Sequence, residues 1–201
     1  MKKTKHHHIN RRRAFLDYKW ICIEWLVSRF AMMENITKKY SNYRNKIVDE
    51  ELNMCTITAN DRILVIGCGP FPYTAIALAQ MTKAKIVVID KSWRIVRLAS
   101  SVIHRKNLHH KIMIEHGDGI NYPLDNFDVI IVTITIWPID KILVHIFQEM
   151  KPRTRLICRE IDNDVEEVLK NSKLLDMYTI KASMKHPAGD KYKSLFLQKN
   201  I

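Results

Sequence analysis

Two glycines separated by a single residue, Gly67 and Gly69, follow an unbroken apolar run from Ile63 to Ile66. The run is rich in β-branched residues and suits a strand that is covered on both faces of a parallel sheet. A glycine carries no Cβ, so the backbone here can turn tightly and approach a ligand closely. Pro70 and Pro72 fit the first turn of a following helix, where a missing N–H costs nothing. This pattern is typical of a site that holds a nucleotide-like ligand at the carboxyl edge of a sheet.

An acidic residue stands where such a site needs a hydrogen-bond acceptor. A second apolar strand is predicted from Lys85 to Ile89, and it ends at Asp90. In dinucleotide-binding βαβ units, a carboxylate at this position accepts hydrogen bonds from ribose hydroxyls. The third glycine of the dinucleotide fingerprint is missing, with Tyr73 or Thr74 in its neighbourhood. Its absence argues against a pyrophosphate on the helix and favours a ligand without phosphates, whereas a glycine pair alone also fits a purely structural turn.

These motifs resemble those of the S-adenosylmethionine (SAM)-dependent methyltransferases of the seven-stranded Rossmann-like type, over about residues 58 to 199. The matching residues are Ile66-Gly67-Cys68-Gly69, Asp90, Gly117-Asp118-Gly119 and Phe127-Asp128-Val129-Ile130-Ile131-Val132. The resemblance implies an α/β fold: a mostly parallel seven-stranded sheet, helices on both faces and a C-terminal antiparallel hairpin.

The same resemblance implies SAM as the cofactor. A third strand is predicted from Ile112 to Ile114. Asp118 follows it and is expected to accept a hydrogen bond from the adenine amino group, although Gly-Asp-Gly is also an ordinary turn sequence. The expected cofactor-binding residues are Gly67, Cys68, Gly69, Pro70, Asp90, Lys91, Asp118, Gly119 and Thr133.

A finer likeness is to the nicotianamine synthase group. It lies in Gly67-x-Gly69-Pro70-x-Pro72-x-Thr74, Phe127-Asp128-Val129 and Thr154-Arg155-Leu156-Ile157. Those enzymes use the same fold and cofactor but transfer the aminocarboxypropyl arm instead of methyl. In them a Tyr and a Glu upstream of the glycine motif orient the attacking amine, and the candidates in comparable places here are Tyr40, Tyr43, Glu24 and Glu34.

The end of the fourth predicted strand, Phe127 to Ile134, lacks an obvious acid or base. It reads Thr133-Ile134-Thr135-Ile136-Trp137-Pro138, without the Asp/Asn-Pro-Pro-aromatic motif of the base-amine methyltransferases. This departure disfavours a nucleic acid as the methyl acceptor. In-line placement of a nucleophile can lower a barrier by roughly 7 to 11 kcal/mol without a catalytic side chain, so catalysis is expected to rest on placement. Trp137 fits either a wall of the substrate pocket or the core.

The elements that position these residues form one α/β domain with an N-terminal extension. Within the 201 residues we expect a basic flexible tail (1–13), a helical extension that covers the ligand cleft (14–57, apolar from Ala14 to Glu34) and a SAM-binding domain (58–201). Beyond the domain's first strands, the pattern predicts a fifth strand from Thr154 to Cys158, a helix from Asp162 to Lys170 and a closing hairpin over Met177 to Gln198.

The net charge of +12 favours an anionic partner, and the tail offers a phosphate-contacting arm for nucleic acid. The three consecutive histidines of the tail lack the fixed geometry of a metal site, so no metal is expected. Four scattered cysteines without a C-x-x-C pair, no signal peptide and no long apolar run point to a reducing cytoplasm and no transmembrane segment.

Three functions agree with these features. The first is methyl transfer to a small-molecule nucleophile without a dedicated general base, and the second is aminocarboxypropyl transfer with release of methylthioadenosine. The third is a SAM-binding module or an RNA methyltransferase that uses the basic tail. The acceptor and the oligomeric state stay open at this point.

Overall fold

The computed structural model describes residues 34–134, 136–171, 174, 176–187, 189 and 191–200, with side chains from residue 42 onward apart from that of Asn171. The basic tail, most of the helix predicted from Ala14 to Glu34 and the catalytic candidate Glu24 lie outside these residues. Tyr40 lies within them by its backbone only.

A seven-stranded sheet forms the centre of the fold, which confirms the fold class expected from the sequence. Its strands are β1 (Arg62–Ile66), β2 (Lys85–Asp90), β3 (Ile112–His116), β4 (Val129–Val132), β5 (Arg155–Ile161), β6 (Tyr178–Lys185) and β7 (Tyr192–Lys199). They lie in the order β3-β2-β1-β4-β5-β7-β6. Strands β1 to β5 are parallel, and β7 runs antiparallel to both of its neighbours, β5 and β6. The strand order reverses between β1 and β4, and open α/β sheets bind their ligands at such a switch point.

The described residues form five helices, which cover both faces of this sheet. They are α1 (Glu34–Cys55), α2 (Tyr73–Met81), α3 (Trp93–Arg105), α4 (Ile139–Glu149) and α5 (Asp164–Asn171). Leu64 and Ile66 of β1 pack into one apolar cluster with α4 and α5. Ile63 and Val65 pack into the other with α1, α2 and α3, so β1 is buried on both faces as its apolar run predicts.

Several element ends differ from the sequence predictions for local reasons. β5 continues to Ile161, past the predicted end at Cys158, because β7 pairs with it along that whole length. The helix predicted from Asp162 starts only at Asp164, since Asp162 and Asn163 adopt positive φ angles of 54° and 64°. Pro70 and Pro72 precede α2 instead of lying in its first turn.

The hairpin of β6 and β7 closes one side of the sheet. β6 is the outermost strand, and its register with β7 shifts between Ile180 and Ala182. Lys181 and Lys185 of β6 are exposed. Among the described residues, no helix combines the length and apolar character needed to cross a bilayer, and no three His, Cys, Asp or Glu side chains cluster as metal ligands would.

Candidate functional site

Backbone hydrogen bonds join the ends of four strands at the carboxyl edge of the sheet. The N–H of Gly67 donates to the penultimate carbonyl of β2 at 2.8 Å, and that of Thr133 donates to the last carbonyl of β1 at 3.1 Å. The N–H of Gly117 donates to the carbonyl of Asp90 at 3.1 Å. The loops that carry the predicted cofactor residues therefore lie side by side.

The glycine turn after β1 needs its glycines. Gly67 and Gly69 have φ angles of 86° and 61°, in the left-handed region that side chains with a Cβ rarely adopt. A Cβ on Gly67 would lie 2.1 Å from Cδ1 of Ile136 and 2.6 Å from the hydroxyl of Thr133. That hydroxyl lies 3.1 Å from the carbonyl oxygens of both Ile66 and Gly67, so Thr133 fastens the end of β4 to the glycine turn.

The Asp90 carboxylate joins the glycine turn to the start of α3. Its Oδ2 accepts from the N–H of Cys68 at 3.3 Å, and its Oδ1 accepts from the N–H of Ser92 at 2.9 Å. The residue is half-buried. The Cys68 thiol also donates to Oδ2, at 3.8 Å. Because an ionised carboxylate offers about four acceptor positions, these three bonds leave Asp90 able to accept a further donor.

Lys91 connects two of the loops. Its Nζ donates to the carbonyl of Trp137 at 2.7 Å, and its own carbonyl accepts from Nε2 of His116 at 3.1 Å. Trp137 is 50% exposed, so the core position considered for it is wrong. The Lys91 ammonium thus positions the loop after β4 by holding the backbone carbonyl of Trp137.

Asp118 and Gly119 shape the loop after β3. One carboxylate oxygen of Asp118, Oδ1, accepts from the N–H of Ile120 at 3.2 Å, while its backbone carbonyl accepts from the N–H groups of Asn121 and Tyr122. Gly119 is buried, and a Cβ there would lie 2.8 Å from a methyl group of Ile66. Gly119 therefore lets this loop pack directly on β1.

A buried polar cluster lies beside the glycine turn, and none of its contacts was predicted from the sequence. Arg159 of β5 pairs with Glu51 of α1 through two hydrogen bonds of 2.8 and 2.7 Å, and donates to the Thr74 hydroxyl of α2 at 2.7 Å. The Ser194 hydroxyl donates to Glu51 at 2.5 Å and lies 2.8 Å from Nε2 of His186. All five residues are buried, so the cluster locks α1, α2 and the strands β5 and β7 together.

Electrostatics fix the charge state of this cluster. Burial raises the pKa of Glu51, but the charge and hydrogen bonds of Arg159, together with the Ser194 bond, lower that pKa to below its ordinary value. Burial, and then the positive charge of Arg159, lower the pKa of His186 from 6.5 to about 4. His186 is therefore neutral near pH 7, and its Nε2–H donates to Ser194.

The low pKa of His186 makes the free energy of unfolding depend on pH. The unfolded chain takes up a proton at a pKa of 6.5, whereas the folded state does so only at about 4, so stability falls as the pH drops below about 7 and the loss is complete near pH 4. Urea unfolding at pH 7 and pH 5 should differ by about 2 kcal/mol.

The matched variant for this prediction is His186→Gln, whose amide N–H can still donate to Ser194. It should have a nearly flat stability profile between pH 5 and pH 7. An equal pH dependence in the parent and the variant would show that another group is responsible.

Both tyrosines among the catalytic candidates lie in α1. Tyr43 lies half-buried in α1, eight residues before Glu51. Tyr40 lies one turn earlier in the same helix, and Glu24 lies outside the described residues. Their roles stay predictions.

One sequence signal could have revealed the buried cluster. Arg159 follows the apolar Leu156-Ile157-Cys158 run, two residues after Ile157. If the strand continues, alternation places Arg159 on the same buried face as Ile157. A buried arginine requires a carboxylate partner, although the sequence does not say which one.

Comparisons with known proteins give a family and a fold. A family model described as nicotianamine synthase protein matches residues 34–201. No curated protein matches the chain.

Among solved structures, the chain is similar to MtNAS in complex with MTA and tNA, at 19% identity and a TM-score of 0.79, covering 94% of this chain and 74% of that one. A mutant of MtNAS in complex with S-adenosylmethionine gives 19% identity and a TM-score of 0.78, covering 94% and 76%. An RNA methyltransferase from Salinibacter ruber in complex with S-adenosyl-L-homocysteine gives 14% identity and a TM-score of 0.60, covering 77% and 90%. At these identities the likeness shows the fold.

Proposed function

The chain belongs to the nicotianamine synthase family, and we propose that it transfers the aminocarboxypropyl arm of SAM to an amine and releases methylthioadenosine. The family match over residues 34–201 carries this proposal, because it includes α1, the glycine turn and the whole sheet. Methyl transfer is the commoner reaction of this fold and was the first prediction from the sequence. Family membership favours the alternative.

The residues at the carboxyl edge fit SAM, the cofactor of this family of transferases. Asp90 has acceptor capacity left for a ribose hydroxyl after its bonds to Cys68 and Ser92. The apolar side chain of Ile136 packs against Gly67, in the space that a Cβ would fill. A polar acceptor next to an apolar wall suits a ligand that combines a sugar with an aliphatic arm. Asp118 is the proposed acceptor for the adenine amino group.

The proposed mechanism rests on placement of the reacting groups. Bound SAM supplies a sulfonium whose attached carbons are electrophilic. The described residues of the loop after β4, namely 133, 134 and 136–138, include no acid or base. The Thr133 hydroxyl is bound to backbone carbonyls, and the Lys91 ammonium is bound to the carbonyl of Trp137. This loop therefore contributes shape and exclusion of water, and alignment supplies the rate.

The attacking amine is proposed to be oriented from α1. Tyr43 is the candidate with a described side chain, and Tyr40 and Glu24 are the others. The Glu51–Arg159 pair holds α1 against β5, and Tyr43 lies about 12 Å along the helix axis from Glu51. Fixing one end of α1 in this way would hold a tyrosine at a constant distance from the sheet edge. The proposed acceptor is a small molecule.

Identifying the spent nucleoside tests the reaction. The protein is incubated with SAM, with and without added amines, because SAM itself carries a primary amine. Mass spectrometry should detect methylthioadenosine, whereas S-adenosylhomocysteine would establish methyl transfer and overturn the proposal. Asp90→Asn should reduce product formation, and Asp128→Asn should not. Asp128 is the matched control because its carboxylate binds the N–H of Arg62 at the opposite edge of the sheet, at 2.8 Å.

A further inference from the structure

A strongly basic stretch surrounds α3. Between Lys91 and Lys111 the chain has six Lys or Arg, three His and no Asp or Glu. The apolar side of α3, formed by Val96, Ala99, Val102 and Ile103, is buried against the sheet. The basic residues therefore occupy its solvent side, and α3 itself contains no Asp or Glu that could pair with them.

Three arginines form a stripe on that solvent side. Arg94, Arg97 and Arg105 are exposed, and their spacing of three and eight residues places them on one side of the helix. None of them forms an ion pair with a carboxylate of the described residues, whereas Arg155 and Arg159 each do. The stripe spans about 16 Å along the helix axis.

An exposed aromatic platform lies at the start of this stripe. Trp93 is the first residue of α3 and is 65% exposed. Its ring is stacked on His116, with centroids 4.1 Å apart and planes only 3° from parallel. His116 is itself held by a hydrogen bond to the carbonyl of Lys91. The indole is thus supported from behind, and its outer face is open to solvent.

We propose that Trp93 and the Arg94, Arg97 and Arg105 stripe form a docking surface for single-stranded nucleic acid. Cationic residues that follow a phosphate backbone, with an aromatic ring on which a base stacks, are the combination that binds single strands without sequence preference. An unpaired base can stack on Trp93 while the following phosphates lie along the arginines. This surface does not depend on the proposed transferase reaction, and it includes no residue of the N-terminal tail.

The chemistry disfavours an anionic membrane as the occupant. An interfacial helix inserts its apolar side among lipids, but the apolar side of α3 is buried in the protein. Trp93 alone remains as an exposed apolar side chain on this helix.

Fluorescence anisotropy with a fluorescein-labelled oligouridylate of about 12 nucleotides tests the surface in the full chain. The variant Arg94→Gln/Arg97→Gln/Arg105→Gln should bind the oligonucleotide at least about tenfold more weakly. The slope of log K, the association constant, against log salt concentration should become shallower by about two, because each of the three lost phosphate contacts contributes about 0.7. Trp93→Ala should weaken binding about tenfold and leave that slope unchanged.

The matched control is Lys151→Gln/Arg153→Gln/Lys181→Gln, which removes the same charge from exposed positions elsewhere. It should keep most of the affinity, and a chain lacking residues 1–13 should keep the dependence on Arg94, Arg97 and Arg105. Equal losses in both triple variants, or no effect of Trp93→Ala, would refute the surface. So would binding to phosphatidylserine vesicles that needs these arginines while the oligonucleotide stays unbound. SAM turnover should be unchanged in the Arg94/Arg97/Arg105 variant, so failure of this proposal would leave the proposed reaction untouched.

Discussion

Arg159→Ala is expected to lower the free energy of unfolding by about 3–5 kcal/mol, because it leaves the Glu51 carboxylate buried without its cation. The side chains of Arg159 and Glu51 are 1% and 2% exposed, so water cannot replace the lost partner. The substitution also removes the donor to Thr74 in α2. Urea unfolding followed by circular dichroism measures the loss, and Glu51→Gln provides a second, nearly isosteric way of breaking the pair.

Two controls separate this effect from a general loss of packing. Arg155→Ala removes an arginine of the same strand whose pair with Asp61 is less deeply buried, with side chains 20% and 10% exposed, and it should cost less than Arg159→Ala. Glu51→Leu/Arg159→Met removes both charges and should be more stable than either single variant. If the double variant is as unstable as the two losses added together, the cost lies in packing and the electrostatic account is wrong.

Asp90→Ala is expected to weaken SAM binding by about tenfold to a hundredfold, as loss of a hydrogen bond to a charged acceptor generally does. The substitution removes the acceptor proposed for the ribose and also frees the N–H groups of Cys68 and Ser92. Isothermal titration calorimetry with SAM measures the change. Product formation at subsaturating SAM should fall in parallel.

Asp128→Ala is the matched carboxylate deletion, since Asp128 lies at the amino edge of the sheet and bonds to the backbone of Arg62. Its SAM affinity should equal that of the parent protein. Unchanged affinity in Asp90→Ala would mean that the sugar is held elsewhere. Equal weakening in both variants would point to a general disturbance of the sheet.

The strands that carry the glycine turn and Asp90 were predictable because local sequence determines them. An unbroken run of β-branched residues strongly favours a buried strand over other structures. The observed ranges of β1 and β2 lie within one residue of the predicted ones. The hairpin at the end of the chain followed from the family resemblance. The extension of β5 to Ile161 was missed because Arg159 and Glu160 interrupt the apolar run, and pairing with β7 keeps these residues in the sheet.

The hydrogen-bond partners of the site residues were less predictable than the positions of those residues. Sequence motifs identified Asp90, but not that Cys68 and Ser92 would hold its carboxylate. The Glu51–Arg159 pair joins residues 108 positions apart, and no local pattern can match such partners before the fold brings them together. The charge of Arg159 was visible in the sequence, whereas its burial depends on α1 packing over β5.

The displaced register of β6 has a consequence for concentrated solutions of the protein. An outermost strand with free backbone groups is a template on which another molecule can grow a continuous ribbon. The irregularity between Ile180 and Ala182 interrupts the regular repeat that such growth requires. Lys181 and Lys185 would also bring like charges together wherever two copies aligned along this strand. The edge of the sheet farthest from the glycine turn is thus protected against fibril formation.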